Sequence, residues 1–172
     1  MTKKSPLKIF VLLVATFFGT GFFPKAPGTI GTFAAWFFWM ALGTFFFPSF
    51  SPSPFYSLMM AFFCFCLGLT STYLIEKHHY LAHDAGSIVI DEAFGLYLSF
   101  FIFQIFYSEA LSLSHQALLL IFFRFFDILK PWPISFVDRS LKSAWGVMLD
   151  DGIAGLFSSI VLISIMKLKG IL

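Results

Sequence analysis

Charge is scarce in this chain. Only 12% of its 172 residues are Asp, Glu, Lys or Arg, about half the share of an ordinary soluble domain. So few charges cannot clothe a soluble globule of this size, which argues against a soluble cytosolic enzyme. The net charge of +2 is too small to suggest a nucleic-acid partner. Cysteine is nearly absent too. Cys64 and Cys66 lie two apart in an apolar run, where helical neighbours point in different directions and cannot pair. They have no Cys or His companions for zinc and read as small apolar residues. No short repeat is present, which excludes collagen-like and low-complexity classes.

What is present is apolar: 59% hydrophobic residues, 27 of them Phe. Disorder is thereby excluded. Five long runs stand out, at Ile30–Phe47, Phe55–Ile75, Ile88–Tyr107, Leu111–Leu129 and Val147–Met166, and a shorter one covers Ile9–Phe23. The expected fold is all-α: a polytopic membrane helical bundle in a single domain over residues 1–172. Lys3, Lys4 and Lys8 precede the first run, as in a signal peptide, but no small-residue cleavage site follows. The positive-inside rule decides its placement. If the first run re-enters and the next five cross, eight of the ten basic residues outside the runs share one face and only Lys167 and Lys169 lie opposite. If all six cross, those ten split five and five. About five spans plus a re-entrant or interfacial N-terminal segment are therefore expected, with the N-terminus in the cytoplasm.

Six of the nine acidic residues, Asp84, Asp91, Glu92, Asp127, Asp150 and Asp151, border two polar loops at Glu76–Gly86 and Lys130–Trp145. An even number of spans separates these loops, so they share a face. A charge at the centre of a membrane helix costs roughly 2.5–3.5 kcal/mol on insertion scales, so three such clusters call for a compensating cation. Asp91 and Glu92 follow a Gly86–Ser87 turn, which is expected to cap the helix beginning there. Arg124, Asp127 and Lys130 are spaced three apart and share a helix face, and Pro131 ends that helix. The plain reading is an ion-pair ladder; the functional one is Asp127 on a metal with Arg124 and Lys130 on a phosphate. Asp150 and Asp151 repel each other unless a cation lies near, although one could simply cap a helix. Oxygen ligands without a Cys or His set select Mg²⁺ or Mn²⁺, and one ion or a pair is open. In Gly19–Thr32, Gly28 lets backbone approach a ligand, and Thr29 and Thr32 offer hydroxyls for a phosphate. The stretch lacks the Gly-Lys-Ser/Thr ending of a nucleotide-binding loop.

Taken together, Gly19-Thr-Gly21, Ala26-Pro-Gly-Thr29, Gly31-Thr32, His83-Asp84, Gly86-Ser-Ile-Val89, Asp91-Glu92, Phe123-Arg124, Asp127, Lys130-Pro-Trp-Pro-Ile134, Asp138-Arg139 and Asp150-Asp151 resemble the phosphatidylglycerophosphatase A family of bacterial membrane lipid phosphatases. The resemblance covers roughly Gly19 to Gly155. It implies an Mg²⁺-dependent phosphomonoesterase of the bacterial cytoplasmic membrane, active on phosphatidylglycerol phosphate, with its site facing the cytoplasm and a phospholipid of the bilayer as its partner. Asp84, Asp91, Glu92, Asp127, Asp150 and Asp151, or some subset, would hold the metal. Arg124 and Lys130 would clamp the phosphate, and His83 or a free carboxylate would carry protons. The competing reading is a small cation or proton transporter, which would place its charges near the bilayer midplane between related repeats.

Overall fold

The computed structural model describes residues 5–46, 53–81, 86–107 and 111–170. Among them are seven α-helices and one 3₁₀ turn, with no strand. In chain order these are α1 (Pro6–Ala15), the 3₁₀ turn Thr20–Phe22, α2 (Pro27–Phe46), α3 (Pro54–His78), α4 (Ile90–Phe106), α5 (Leu113–Leu129), α6 (Ile134–Ser140) and α7 (Ala144–Leu168). The expected all-α bundle is thus observed. Proline sets φ for the first turn of α1 and α3 without forfeiting a needed N–H. Ser53 and Ser112 accept from the backbone N–H of Tyr56 and His115, each at 3.3 Å, and so cap α3 and α5.

Three helices, α2, α3 and α7, are long and apolar enough to cross a membrane, which makes this a membrane protein. The span count is looser than the expected five: α4 and α5 have 17 residues each, at the short end of the crossing range. α4 is the axis of the bundle, with Ala93, Leu96, Tyr97, Phe100 and Phe103 fully buried, and it is sheltered by its neighbours rather than by lipid. Outward faces carry Phe37, Phe45, Phe55, Phe62, Phe106 and Phe125, each more than half exposed. Such a surface belongs in hydrocarbon.

α1 has 10 residues, about 15 Å of rise, half the hydrocarbon thickness. Val11 and Ala15 pack on Ile75 near the end of α3, and Lys8 lies over the Tyr80 ring. Phe17, Phe18 and Gly19 then take positive φ, and the chain turns back to α2, whose first turn touches Glu92 at the start of α4. Both ends of this segment therefore lie at one end of the bundle, as a re-entrant segment requires.

α4 and α7 run parallel with their backbones touching. A Cβ at Gly155 would strike the Gly95 carbonyl, and one at Gly95 would come within 2.6 Å of the Asp151 carbonyl. One turn further along, Ser159 donates to the Ser99 carbonyl at 2.9 Å. Asp91 precedes Gly95 by one turn, and Asp151 precedes Gly155 by one turn. The small-residue contact therefore sets the register that brings the two carboxylates face to face.

Candidate active site

The cavity at this end of the bundle measures about 520 Å³. Its wall includes Glu76 of α3, Asp91 and Glu92 of α4, Asp127 and Lys130 at the end of α5, Asp138 of α6, Lys142, and Asp150 and Asp151 of α7. Five of the six acids expected to converge, from three separate stretches, thus share one cavity. The sixth, Asp84, and its neighbour His83 lie outside the described residues.

Asp91, Glu92 and Asp151 form the tightest group, each offering an oxygen within 4.8 Å of the others. Asp151 is only 4% exposed. Asp91 Oδ1, Glu92 Oε2 and Asp151 Oδ2 are buried and find no hydrogen-bond partner. A bare buried carboxylate oxygen is costly, and these three residues could together hold a cation. The donors are all oxygen, which fits a hard divalent ion and not zinc.

The helix carrying Asp91 and Glu92 begins later than expected. Ile90 is its first residue, and Val89 stands at the N-cap with no side-chain cap. Ser87 does not cap it because the Gly86–Ser87 turn is used in tertiary packing. The Ser87 carbonyl lies against Gly21, and Val89 donates its N–H to the Ala15 carbonyl at 2.9 Å. The pair therefore sits in the first turn, where free N–H groups and the helix dipole favour negative charge.

Arg124 Nη1 donates to Asp127 Oδ2 at 2.5 Å and lies 3.7 Å from Glu92 Oε1. It also reaches Thr32 Oγ1 at 3.5 Å, while that hydroxyl donates to the Gly28 carbonyl at 2.8 Å. A side chain at Gly28 would collide with the Glu92 carboxylate and crowd Arg124. Arg124, Gly28 and Thr32 therefore stand behind the cavity wall and do not line it. Thr29 is half-buried in the first turn of α2 and is not part of that wall either.

Lys130 departs from the expected Arg–Asp–Lys face. It takes a left-handed conformation at the end of α5 (φ 43), ahead of Pro131, and turns away from Asp127. Its ammonium donates to Asp138 Oδ1 and Asp150 Oδ2, both at 2.7 Å. Half-burial alone would lower its pKa, but these two hydrogen bonds and charges outweigh burial and push it up. The same bond from Lys130 holds Asp138 below the usual carboxylate range. Asp138 stands in the family resemblance without a role, and neither Lys142 nor Glu76 belongs to a motif of the sequence, yet all three line the cavity. Asp138 rides on α6, seven residues inside what reads as a polar loop.

Fold and cavity define the class: an integral-membrane helical bundle with an acidic, oxygen-lined pocket at one end. Its charges gather at that end and not at mid-bundle, which does not favour a transporter. Residues 13–166 match the family model of Phosphatidylglycerophosphatase A. A phosphatidylglycerophosphatase A of Haemophilus influenzae is 37% identical over 174 residues, covering 96% of this chain and 97% of that protein. One from Escherichia coli is 33% identical over 150 residues, covering 87% and 80%. A putative phosphatidylinositol-3-phosphatase of Bacteroides thetaiotaomicron is 29% identical over 157 residues, covering 88% and 90%. No solved structure matches. The chain belongs to the phosphatidylglycerophosphatase A family and is by that membership a phosphatase.

Proposed function

We propose that the protein hydrolyses the terminal phosphate monoester of phosphatidylglycerol phosphate, releasing phosphatidylglycerol and inorganic phosphate, with Mg²⁺ held by Asp91, Glu92 and Asp151. The observation that carries this reading is the set of three buried, unpartnered carboxylate oxygens at the mouth of a membrane bundle. When bound, the ion supplies charge neutralisation at the phosphoryl oxygens and acidifies an attacking water.

The chain's own residues do the rest. The acyl chains stay in the bilayer while the headgroup enters the cavity. Lys130, fixed between Asp138 and Asp150, presents its ammonium to the phosphate oxygens as charge shifts in the transition state. Arg124 works from behind the wall: it fixes Asp127 and Glu92 in the orientation the site needs. Asp127 lines the cavity and lies outside the carboxylate triad, so it takes the proton of the attacking water at its carboxylate. Gly28 leaves room for Glu92 and Arg124 to meet beneath α2.

The site faces the cytoplasm of a bacterium in this reading. Lys8, Lys77, Lys130, Arg139 and Lys142 belong to its end of the bundle, and Lys167 and Lys169 to the other, as the positive-inside rule asks of an inner-membrane protein. Phosphate release from phosphatidylglycerol phosphate by the purified chain in detergent tests the proposal. Release with Mg²⁺, its loss on chelation and its return on re-addition are expected. Release that ignores chelation, or no release at all, contradicts it.

A further inference from the structure

Among the described residues, seven carboxylates and only two cations, Lys130 and Lys142, line the cavity. A lipid carrying two phosphates is repelled by such a wall unless each phosphate meets a cation. Lys130 is already bound between Asp138 and Asp150. Lys142 is different. It is exposed and, among the described residues, makes no ion pair. Its positive charge helps keep Asp138 ionised.

Its position sets its depth. Lys142 lies three residues before Trp145, which is 53% exposed, and Trp132, across the same loop region, is 78% exposed. Exposed tryptophans at the ends of membrane helices mark the headgroup level. A lysine at that level meets the phosphate that joins headgroup to lipid, one glycerol unit short of the reacting phosphate.

We infer that Lys142 is a substrate-binding residue that holds the phosphodiester of the lipid, so that the cavity selects a headgroup carrying both a diester and a terminal monoester. This rests on the proposed hydrolysis of phosphatidylglycerol phosphate. A lysine acts there as a mobile point charge suited to a rim that exchanges lipid.

The products separate the two phosphates. Phosphatidylglycerol carries only the diester, and inorganic phosphate stands in for the monoester. Steady-state hydrolysis by the full chain, Lys142→Ala and Lys142→Arg is measured with each product as inhibitor. Lys142→Ala is expected to raise KM about tenfold with kcat within about twofold, the worth of one charge-assisted contact. It should weaken inhibition by phosphatidylglycerol by a similar factor and leave inhibition by inorganic phosphate unmoved. Lys142→Arg should restore most of the loss. The inference is overturned if inhibition by phosphate weakens as much as inhibition by phosphatidylglycerol, if no constant moves, or if phosphatidylglycerol fails to inhibit the unmodified protein. An unmodified protein that releases no phosphate from phosphatidylglycerol phosphate sinks the functional reading and this one with it.

Discussion

The two ends of the bundle treat polar groups in opposite ways. At the far end, Ser57 donates to Gln104 Oε1 at 2.6 Å, Trp36 Nε1 donates to Gln116 Oε1 at 2.8 Å, and the Tyr56 hydroxyl donates to the Trp39 carbonyl at 2.8 Å. These side chains tie α2, α3, α4 and α5 together, as polar groups in a membrane bundle do. At the near end, one buried oxygen each of Asp91, Glu92 and Asp151 finds no hydrogen-bond donor. Most polar groups that tie the helices together are paired, the Trp39 ring N–H being an exception, whereas the three carboxylate oxygens are left bare side by side at a cost in stability.

Substitutions sharpen that contrast. The largest effect belongs to the bare carboxylates. Asp91→Asn or Asp151→Asn should lower phosphate release by about 10²–10³-fold, while the metal-free protein melts no lower than the unmodified one, because a buried charge without a partner has been removed. Activity assays paired with melting curves check both halves. Equal turnover, or a large fall in melting temperature, breaks the contrast.

The helix contact beneath the site comes next. Gly155→Leu forces a side chain into the Gly95 backbone and should destabilise by about 1–3 kcal/mol. It should also lower turnover, since Asp91 and Asp151 lose their register. Denaturation midpoints and phosphate release in the same detergent measure both. A far-end change should move stability alone: Ser57→Ala breaks the bond to Gln104 and should cost about 1 kcal/mol, with kcat unchanged.

Much of this arrangement is legible from residue order. The apolar runs mark six of the seven helices. An even number of spans between the two polar loops foretells that Asp91, Glu92, Asp127, Asp150 and Asp151 meet at one end. Other features depend on tertiary contacts that no local pattern signals. α6 is too short to show a helical period, so Asp138 reads as loop. Lys130 leaves the α5 face because its backbone turns left-handed before Pro131, and only the fold shows where it goes. The start of α4 slips to Ile90 because Ala15, distant in sequence, takes the Val89 N–H. The Gly95–Gly155 contact has no signal in the sequence, because a lone glycine in an apolar run names no partner until the helices are placed.

The smallest expected effect lies in acid. Asp138 sits below the ordinary carboxylate range through its bond from Lys130. Its contribution to stability is therefore complete above about pH 4 and is lost only as pH falls through the lowered value. Melting temperatures taken downward from about pH 4 should fall more steeply for the unmodified protein than for Asp138→Asn. Parallel curves would show that the Lys130–Asp138 pair contributes nothing to folding.

Direct counting of bound Mn²⁺ by electron paramagnetic resonance, on the full chain in lipid nanodiscs, goes straight to the central claim that Asp91, Glu92 and Asp151 hold a hard divalent cation. Saturable Mn²⁺ binding that Mg²⁺ displaces, and that Asp151→Asn abolishes while Ser57→Ala preserves, is the predicted result. Mn²⁺ bound equally by Asp151→Asn and the unmodified protein would contradict it.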